Sequence, residues 1–288
     1  MQKHFLKGIN KLNIKTAIIQ INEILKHRTE HKLETNFIFQ HVLKKSAAEL
    51  ILTDEISLKQ FKKIKKIAIK LSLNRPLQHL LASWHFYGIK IKLNSKVFIP
   101  RPETEQLVDF VLKFKNEKIN IIDLCSGSGC VSMAIANTNK HAHIKAIEIS
   151  KDALKCAKKN THKFKNRIQI IEGNVLNAKL AKNFKNWANI IVCNPPYLNK
   201  NDMVNLQAEI KHEPRIALYG GTDGLLFYKK ICKLWKSCLK NFGWIAFEIG
   251  STQKIEVETI LTQNQFKNVK TKKDYYNNDR ITIAQKFN

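Results

Sequence analysis

From Asn120 onward the chain alternates short apolar runs with longer lysine-rich amphipathic stretches, and this double periodicity limits the fold more than any other feature. The runs are INIIDLC, HIKAIEI, RIQIIEG, ANIIVCN and GWIAFEI, followed by NVKTKKDY and RITIAQK. Short apolar runs of this kind read as strands buried on both faces, and the segments between the first five have helical length. A mostly parallel sheet covered by helices on both sides is therefore expected. Only a short polar turn separates the last two runs, so they read as an antiparallel hairpin closing one edge. The expected fold class is α/β, a doubly wound, mostly parallel, seven-stranded Rossmann-like sheet.

The first 84 residues read differently, as helices without a strand. In SLKQFKKIKKIAIKLSL, Phe61, Ile64, Ala68 and Leu71 share one helical face, and Lys59, Lys62, Lys63, Lys66 and Lys70 occupy the remainder. That pattern fits a solvated lysine face over a small bundle core. The helical pattern breaks around Asn74 to Pro76, and GIKIKLNSKVFIP then alternates as a strand, a polar turn at Asn94 and Ser95, and a second strand. The expected division is a helical domain over 1–84, a β-hairpin linker over 85–101 and a large α/β domain over 102–288.

Composition narrows the partners. A chain of 288 residues with 44% hydrophobic and 25% charged residues can bury a real core. The start MQKHFLKGIN has no apolar leader core, and no stretch approaches the roughly 18 apolar residues that span a bilayer, so a cytoplasmic protein with no membrane partner is expected. The six cysteines contain no C-x-x-C pair, which favours buried thiols over a metal centre or disulfides. The net charge of +27 fits either a polyanionic partner or a merely lysine-rich surface. Only six basic residues are arginine; Arg101 and Arg215 fall in the motifs below, and Arg280 opens the last strand run.

Those motifs sit where the strands end. In IIDLCSGSGCVSMAIA a strand runs into a glycine loop and a helix, with Gly127 and Gly129 placed for close approach of a ligand to the backbone. A dinucleotide fingerprint would need glycine where Ser132 stands. Asp123 precedes the loop. Glu148 ends the next strand, where a carboxylate can accept hydrogen bonds from both ribose hydroxyls of an adenosyl group, and Asn174 and Val175 follow the third strand, placed for an adenine ring. The fourth strand ends in Asn194-Pro195-Pro196-Tyr197. Two prolines stiffen this turn, so an amide oxygen, a backbone carbonyl and an aromatic ring are held together. Two such acceptors can take both N–H hydrogens of an incoming amide or amine and stabilise the charge that grows on nitrogen as it attacks a methyl group.

On these residues the chain resembles the peptide chain release factor N5-glutamine methyltransferases, the HemK/PrmC family. The resemblance runs through LLASWHFYGIKIKLNSKVFIPRPETEQLV, DLCSGSGC, AIEISKDAL, NPPY, EPRIALYGGTDGL and FEIG. It implies S-adenosylmethionine as methyl donor, leaving S-adenosylhomocysteine, and class 1 release factors as partners, methylated on the glutamine of their Gly-Gly-Gln loop. It further implies that Cys125, Ser126, Gly127, Ser128, Gly129, Glu148, Asn174, Val175 and Asn194 hold the donor. Asn194, Pro195, Pro196 and Tyr197 would hold the glutamine, with Arg101, Thr104 and Glu105 shaping the loop over it; the alternative is that Arg101 and Glu105 simply pair with each other. The family often has an acidic residue where Asn174 stands and a larger apolar one near Val175.

Two other readings remain open at the level of sequence. NPPY is shared with enzymes that methylate the exocyclic amines of adenine or cytosine in nucleic acids, though only the segment from Tyr197 to Gly243 is available here for a base-recognition insertion. A non-catalytic ribosome- or RNA-binding module would use the lysine-rich surface alone.

Overall fold

The computed structural model describes residues 10–114 and 117–287. Most of the N-terminal segment read above for a leader lies outside the described residues. The chain divides into two units, one formed by Met1–Ala82 with Ala208–His212, the other by Ser83–Gln207 with Glu213–Asn288.

The first unit carries α1 (Ile14–Leu25), α2 (His31–Leu43), α3 (Ala47–Ile51), α4 (Leu58–Ser72) and α5 (Leu77–Leu80). Its core follows the amphipathic pattern: Ile21 and Leu25 of α1, Ile38 and Phe39 of α2, and Ile64, Ala68 and Leu71 of α4 are buried. Against expectation the unit is not purely helical. Strand β1 (Lys11–Asn13) pairs antiparallel with β2 (Glu55–Ser57). Each strand ends in a helix cap, Asn13 accepting from Lys15 and Thr16 N–H and Ser57 from Gln60 N–H, so the ladder is the lead-in to α1 and α4. Arg28 forms ion pairs with Glu34, at 2.6 Å, and with Glu209 of the returning segment.

The second unit opens with a hairpin, but its turn lies earlier than expected. Strand β3 (Ser83–Phe86) pairs with β4 (Ile89–Lys92) across Tyr87 and Gly88, both at positive φ. Asn94 and Ser95 do turn, with Asn94 Oδ1 accepting from Lys96 N–H at 2.8 Å, yet the residues after them form no strand.

The large sheet comprises β5 (Asn120–Leu124), β6 (His143–Glu148), β7 (Ile168–Glu172), β8 (Ala188–Cys193), β9 (Leu239–Glu248), β10 (Phe266–Lys273) and β11 (Asp279–Lys286), in the order β10-β11-β9-β8-β5-β6-β7. Strands β7, β6, β5, β8 and β9 run parallel, and β11 and β10 close one edge antiparallel. Helices α6 (Glu105–Val111), α7 (Cys130–Thr138) and α8 (Lys151–Thr161) contribute to one apolar cluster with Ile121, Ile144 and Val192. α9 (Ala178–Lys182), α11 (Leu226–Trp235) and α12 (Lys254–Gln263) contribute to another with Ile122, Ile147 and Ile191; the short α10 (Lys200–Val204) has no buried residue. Neighbouring residues of one strand thus feed opposite faces, as a two-residue period requires. Edge strand β10 carries exposed Lys267, Lys270, Lys272 and Lys273, and its pairing shifts register between Lys267 and Lys270 and again between Lys272 and Lys273. Chain order reverses between β5 and β8, which makes the carboxyl ends of these two strands the switch point where ligands of open α/β sheets bind.

Candidate active site

At the end of β5 the backbone takes positive φ at Cys125 (59°), Gly127 (55°) and Gly129 (75°) and then enters α7. The two glycines differ in what a side chain would meet. A Cβ on Gly129 would approach Thr161 Cγ2 at 3.2 Å and Ala157 Cβ at 3.3 Å, so this glycine lets α7 pack on α8. A Cβ on Gly127 would meet nothing within 4 Å, so this one borders open space. The Ser126 hydroxyl beside it is enclosed without a hydrogen-bond partner among the described residues. Ser128 is buried and its carbonyl accepts from Asn160 Nδ2 at 2.9 Å.

Two carboxylates support this loop. Asp123 accepts from Ser132 Oγ at 2.6 Å, and burial pushes its carboxyl up to about 7, with the Glu148 charge adding to the rise. Glu148 accepts from Gly127, Ile149 and Ser150 N–H, each at 2.8 Å. An ionised carboxylate offers about four acceptor sites, so three amides leave capacity for a further donor. After β7, Asn174 is exposed and its Oδ1 accepts from Leu176 N–H at 2.9 Å; Val175 is buried and its carbonyl accepts from Trp235 Nε1 at 2.8 Å.

Asn194 follows β8 directly. The register Leu124↔Cys193 on one side and Cys193↔Phe247 on the other sets Asn194 beside Cys125 and beside Glu248. Its Nδ2 donates to Thr104 Oγ1 at 3.1 Å, and the Thr104 hydroxyl donates to Glu248 Oε2 at 2.5 Å. Among the described residues no donor reaches Asn194 Oδ1 or the Pro195 carbonyl. Tyr197 is held by Gln253, whose Nε2 donates to the Tyr197 carbonyl at 3.0 Å while its Oε1 accepts from Gly250 N–H at 3.0 Å. Burial, with the Glu248 charge assisting, pushes the Tyr197 phenol well above its ordinary value. The segment after α10 packs against this turn: Leu198 N–H donates to Leu218 O, Gly220 N–H donates to Leu198 O, and a Cβ on Gly220 would stand 2.6 Å from Pro196 O.

Arg101 and Glu105 do not pair with each other. Arg101 pairs with Glu213, whose other oxygen accepts from Ile99 N–H at 2.9 Å, and lies over the Phe98 ring at 4.9 Å. Glu105 accepts from Tyr87 N–H at 2.7 Å and so holds the hairpin turn. Glu213, Glu248 and Gln253 received no role from the sequence, although EPRIALYGGTDGL and FEIG had marked their neighbourhoods.

Comparison with known proteins bears on the family and the fold. The family model described as Methyltransferase small domain matches residues 104–226. A release factor glutamine methyltransferase from Fusobacterium nucleatum subsp. nucleatum is 40% identical over 88% of this chain and 73% of its own length. Another of that name from Clostridium acetobutylicum is 33% identical over 95% of this chain and 98% of its own. In structure, a methyltransferase from Pyrococcus furiosus aligns with a TM-score of 0.53 at 15% identity, covering 70% of this chain and 91% of that one, which attests the fold. With relatives 40% and 33% identical that are covered over 73% and 98% of their own lengths, the chain belongs to the release factor glutamine methyltransferase family.

Proposed function

We propose that this protein methylates the side-chain amide nitrogen of the glutamine in the Gly-Gly-Gln loop of class 1 peptide chain release factors, acting in translation termination. The observation that carries the chemistry is the pair of acceptors after β8. Asn194 Oδ1 and the Pro195 carbonyl, both without a donor among the described residues, stand beside the glycine loop. An amide nitrogen is a poor nucleophile because its lone pair is delocalised. Two fixed acceptors that take its N–H hydrogens hold it in one orientation, and they stabilise the positive charge of the transition state more than the neutral ground state. Tyr197, a neutral phenol, supplies a ring over the planar group and excludes water. Pro196 stiffens the turn, and Arg101 and Glu105 shape the substrate side through Glu213 and Tyr87.

The methyl donor is S-adenosylmethionine, and the residues fit it. Cys125 to Gly129 surround open space at Gly127 and an unpartnered Ser126 hydroxyl. Glu148 has acceptor capacity for a ribose, and Asn174 keeps its amide N–H groups for an adenine edge, with Val175 beside it. Bound there, S-adenosylmethionine would supply an activated methyl group: the amide lone pair would form the new N–C bond, the methyl–sulfur bond would break with both electrons left on sulfur, and one N–H proton would leave to solvent as the product departs.

Residues 1–84 serve as the docking domain for the release factor and 102–288 as the catalytic domain, with 85–101 between them, because a three-residue loop alone offers little area for specificity. The lysine surplus gives weak, non-specific, salt-sensitive attraction to polyanions, and nucleic acid is not required. Among the described residues no helix is long and apolar enough to cross a membrane, in keeping with work in the cytoplasm. The test is incubation with labelled methyl donor and, separately, release factor, DNA and RNA, followed by mass mapping. Label on the Gly-Gly-Gln glutamine is expected; label in DNA or RNA with none in the factor overturns the proposal.

A further inference from the structure

We infer that Thr104 and Glu248 are positioning residues that fix which end of the Asn194 carboxamide faces the substrate. This rests on the acceptor role proposed for Asn194. The two ends of a carboxamide are close to isosteric but opposite in character: the oxygen accepts, the NH2 group donates. Rotation about the last side-chain torsion of asparagine is only loosely constrained, so local geometry does not choose between them. An amide turned the wrong way would meet an incoming glutamine nitrogen donor to donor.

The hydrogen-bond chain makes the choice. Thr104 has one hydroxyl proton and gives it to Glu248 Oε2 at 2.5 Å, which leaves its lone pairs as the only thing it can offer Asn194. Asn194 must then present Nδ2, found 3.1 Å away, and Oδ1 is directed elsewhere. Thr104 is 3% exposed and Glu248 1%, so bulk water does not substitute for either partner. The β8–β9 register places Asn194 and Glu248 at adjacent strand ends, while Thr104 arrives from the turn that precedes α6. The relay therefore selects for a substrate that donates hydrogen bonds, an amide, over one that only accepts them, a carboxylate.

The arrangement requires Glu248 to be ionised. Facing it are Arg280 from β11, Arg101 and Glu103 from the turn before α6, Tyr197, and Tyr228 of α11, whose hydroxyl donates to the Glu248 backbone carbonyl at 3.0 Å. Burial pushes the Glu248 carboxyl up to about 7, against the Thr104 hydrogen bond and the two arginines. Once protonated, Glu248 can donate to Thr104, the Thr104 proton turns toward Asn194, and the carboxamide is driven to the opposite flip. Turnover at saturating donor should fall as pH drops through about 7.

The test uses the full chain with intact release factor and labelled S-adenosylmethionine, comparing Thr104→Ser, Thr104→Val, Glu248→Gln and Asn194→Ala. Thr104→Val should lose about 10-fold or more in kcat, the effect of one lost buried hydrogen bond, with calorimetric affinity for S-adenosylhomocysteine kept. Thr104→Ser should restore most of it. Glu248→Gln should be slow and lack the acid limb of kcat; Asp123, also pushed up to about 7, would instead show its limb in donor binding. Wild-type kcat in Thr104→Val with Asn194→Ala inactive refutes the relay and leaves the role of Asn194 standing. Full activity in Asn194→Ala removes both. Equal loss in the serine and valine variants points to packing and refutes the relay, as does an acid limb that persists in Glu248→Gln, which decides the matter if Thr104→Val does not fold.

Discussion

Gly220 lies outside every motif that touches donor or substrate, yet its replacement by alanine should slow the reaction. The added Cβ would stand 2.6 Å from Pro196 O, 2.7 Å from Tyr197 Cα and 2.9 Å from Gly224 O. All three are backbone atoms, so no side chain can swing away. Reaching a tolerable 3.0 Å obliges the Pro196 carbonyl to retreat by about 0.4 Å, a strain that ordinarily costs about 1–3 kcal/mol. Two consecutive prolines transmit that movement to Asn194 and Pro195 rather than absorbing it. If 1 Å of misplacement costs about 100-fold, a shift of about 0.4 Å costs roughly 5- to 10-fold in kcat. Gly127→Ala is the counterpart. It meets no atom within 4 Å, carries about 1–2 kcal/mol of strain for its positive φ, and places a methyl group in the space assigned to the donor. Steady-state kcat at saturating donor and calorimetric titration with S-adenosylhomocysteine separate the two. Gly220→Ala should lower kcat with donor affinity kept, and Gly127→Ala should lower donor affinity. Wild-type turnover in Gly220→Ala, or equal loss of donor affinity in both variants, would refute the reasoning.

Glu148→Ala removes the acceptor of three loop amides and should weaken S-adenosylhomocysteine binding by about 10-fold or more in calorimetry, while kcat at saturating donor changes less. The pH dependence of stability has a definite sign. Asp123 and Glu248 are both pushed up to about 7, whereas unfolded carboxyls titrate near 4, so between these values the folded chain holds protons that the unfolded chain has released. Stability should fall as pH rises from about 4 to about 7 and level off above, and urea midpoints for Asp123→Asn should show a shallower fall. Arg101→Ala leaves the Glu213 carboxylate, only 2% exposed, with the Ile99 amide alone, and should cost about 1–3 kcal/mol in urea unfolding.

The parts legible in the sequence are those written into neighbouring residues. The strand and helix periods from Asn120, the glycine loop and the Asn-Pro-Pro-Tyr turn are each encoded within a few positions, and the large sheet matches the pattern. The hairpin turn departs from the local pattern because Tyr at φ 49° is locally unfavourable. What holds it there is Glu105 on the Tyr87 amide and Asp109 on its hydroxyl, partners that lie 18 and 22 residues away. Val97 and Ile99, read as strand residues, are buried, and the Ile99 amide is satisfied by Glu213 rather than by a neighbouring strand. The three-residue strands β1 and β2 are too short to show a period. The relay is least legible of all, since Thr104 and Glu248 are 144 positions apart and only the sheet register brings them together.

The lysines of β10 have a consequence for how this chain behaves among copies of itself. A sheet rich in isoleucine that ends in an open strand is a template on which another strand can add. Here the open strand presents Lys267, Lys270, Lys272 and Lys273 and is bent twice by its register shifts, so a second copy would have to bring like charges together along a ladder that does not run straight. Part of the surplus charge thus acts against edge-to-edge aggregation and needs no polyanion to account for it.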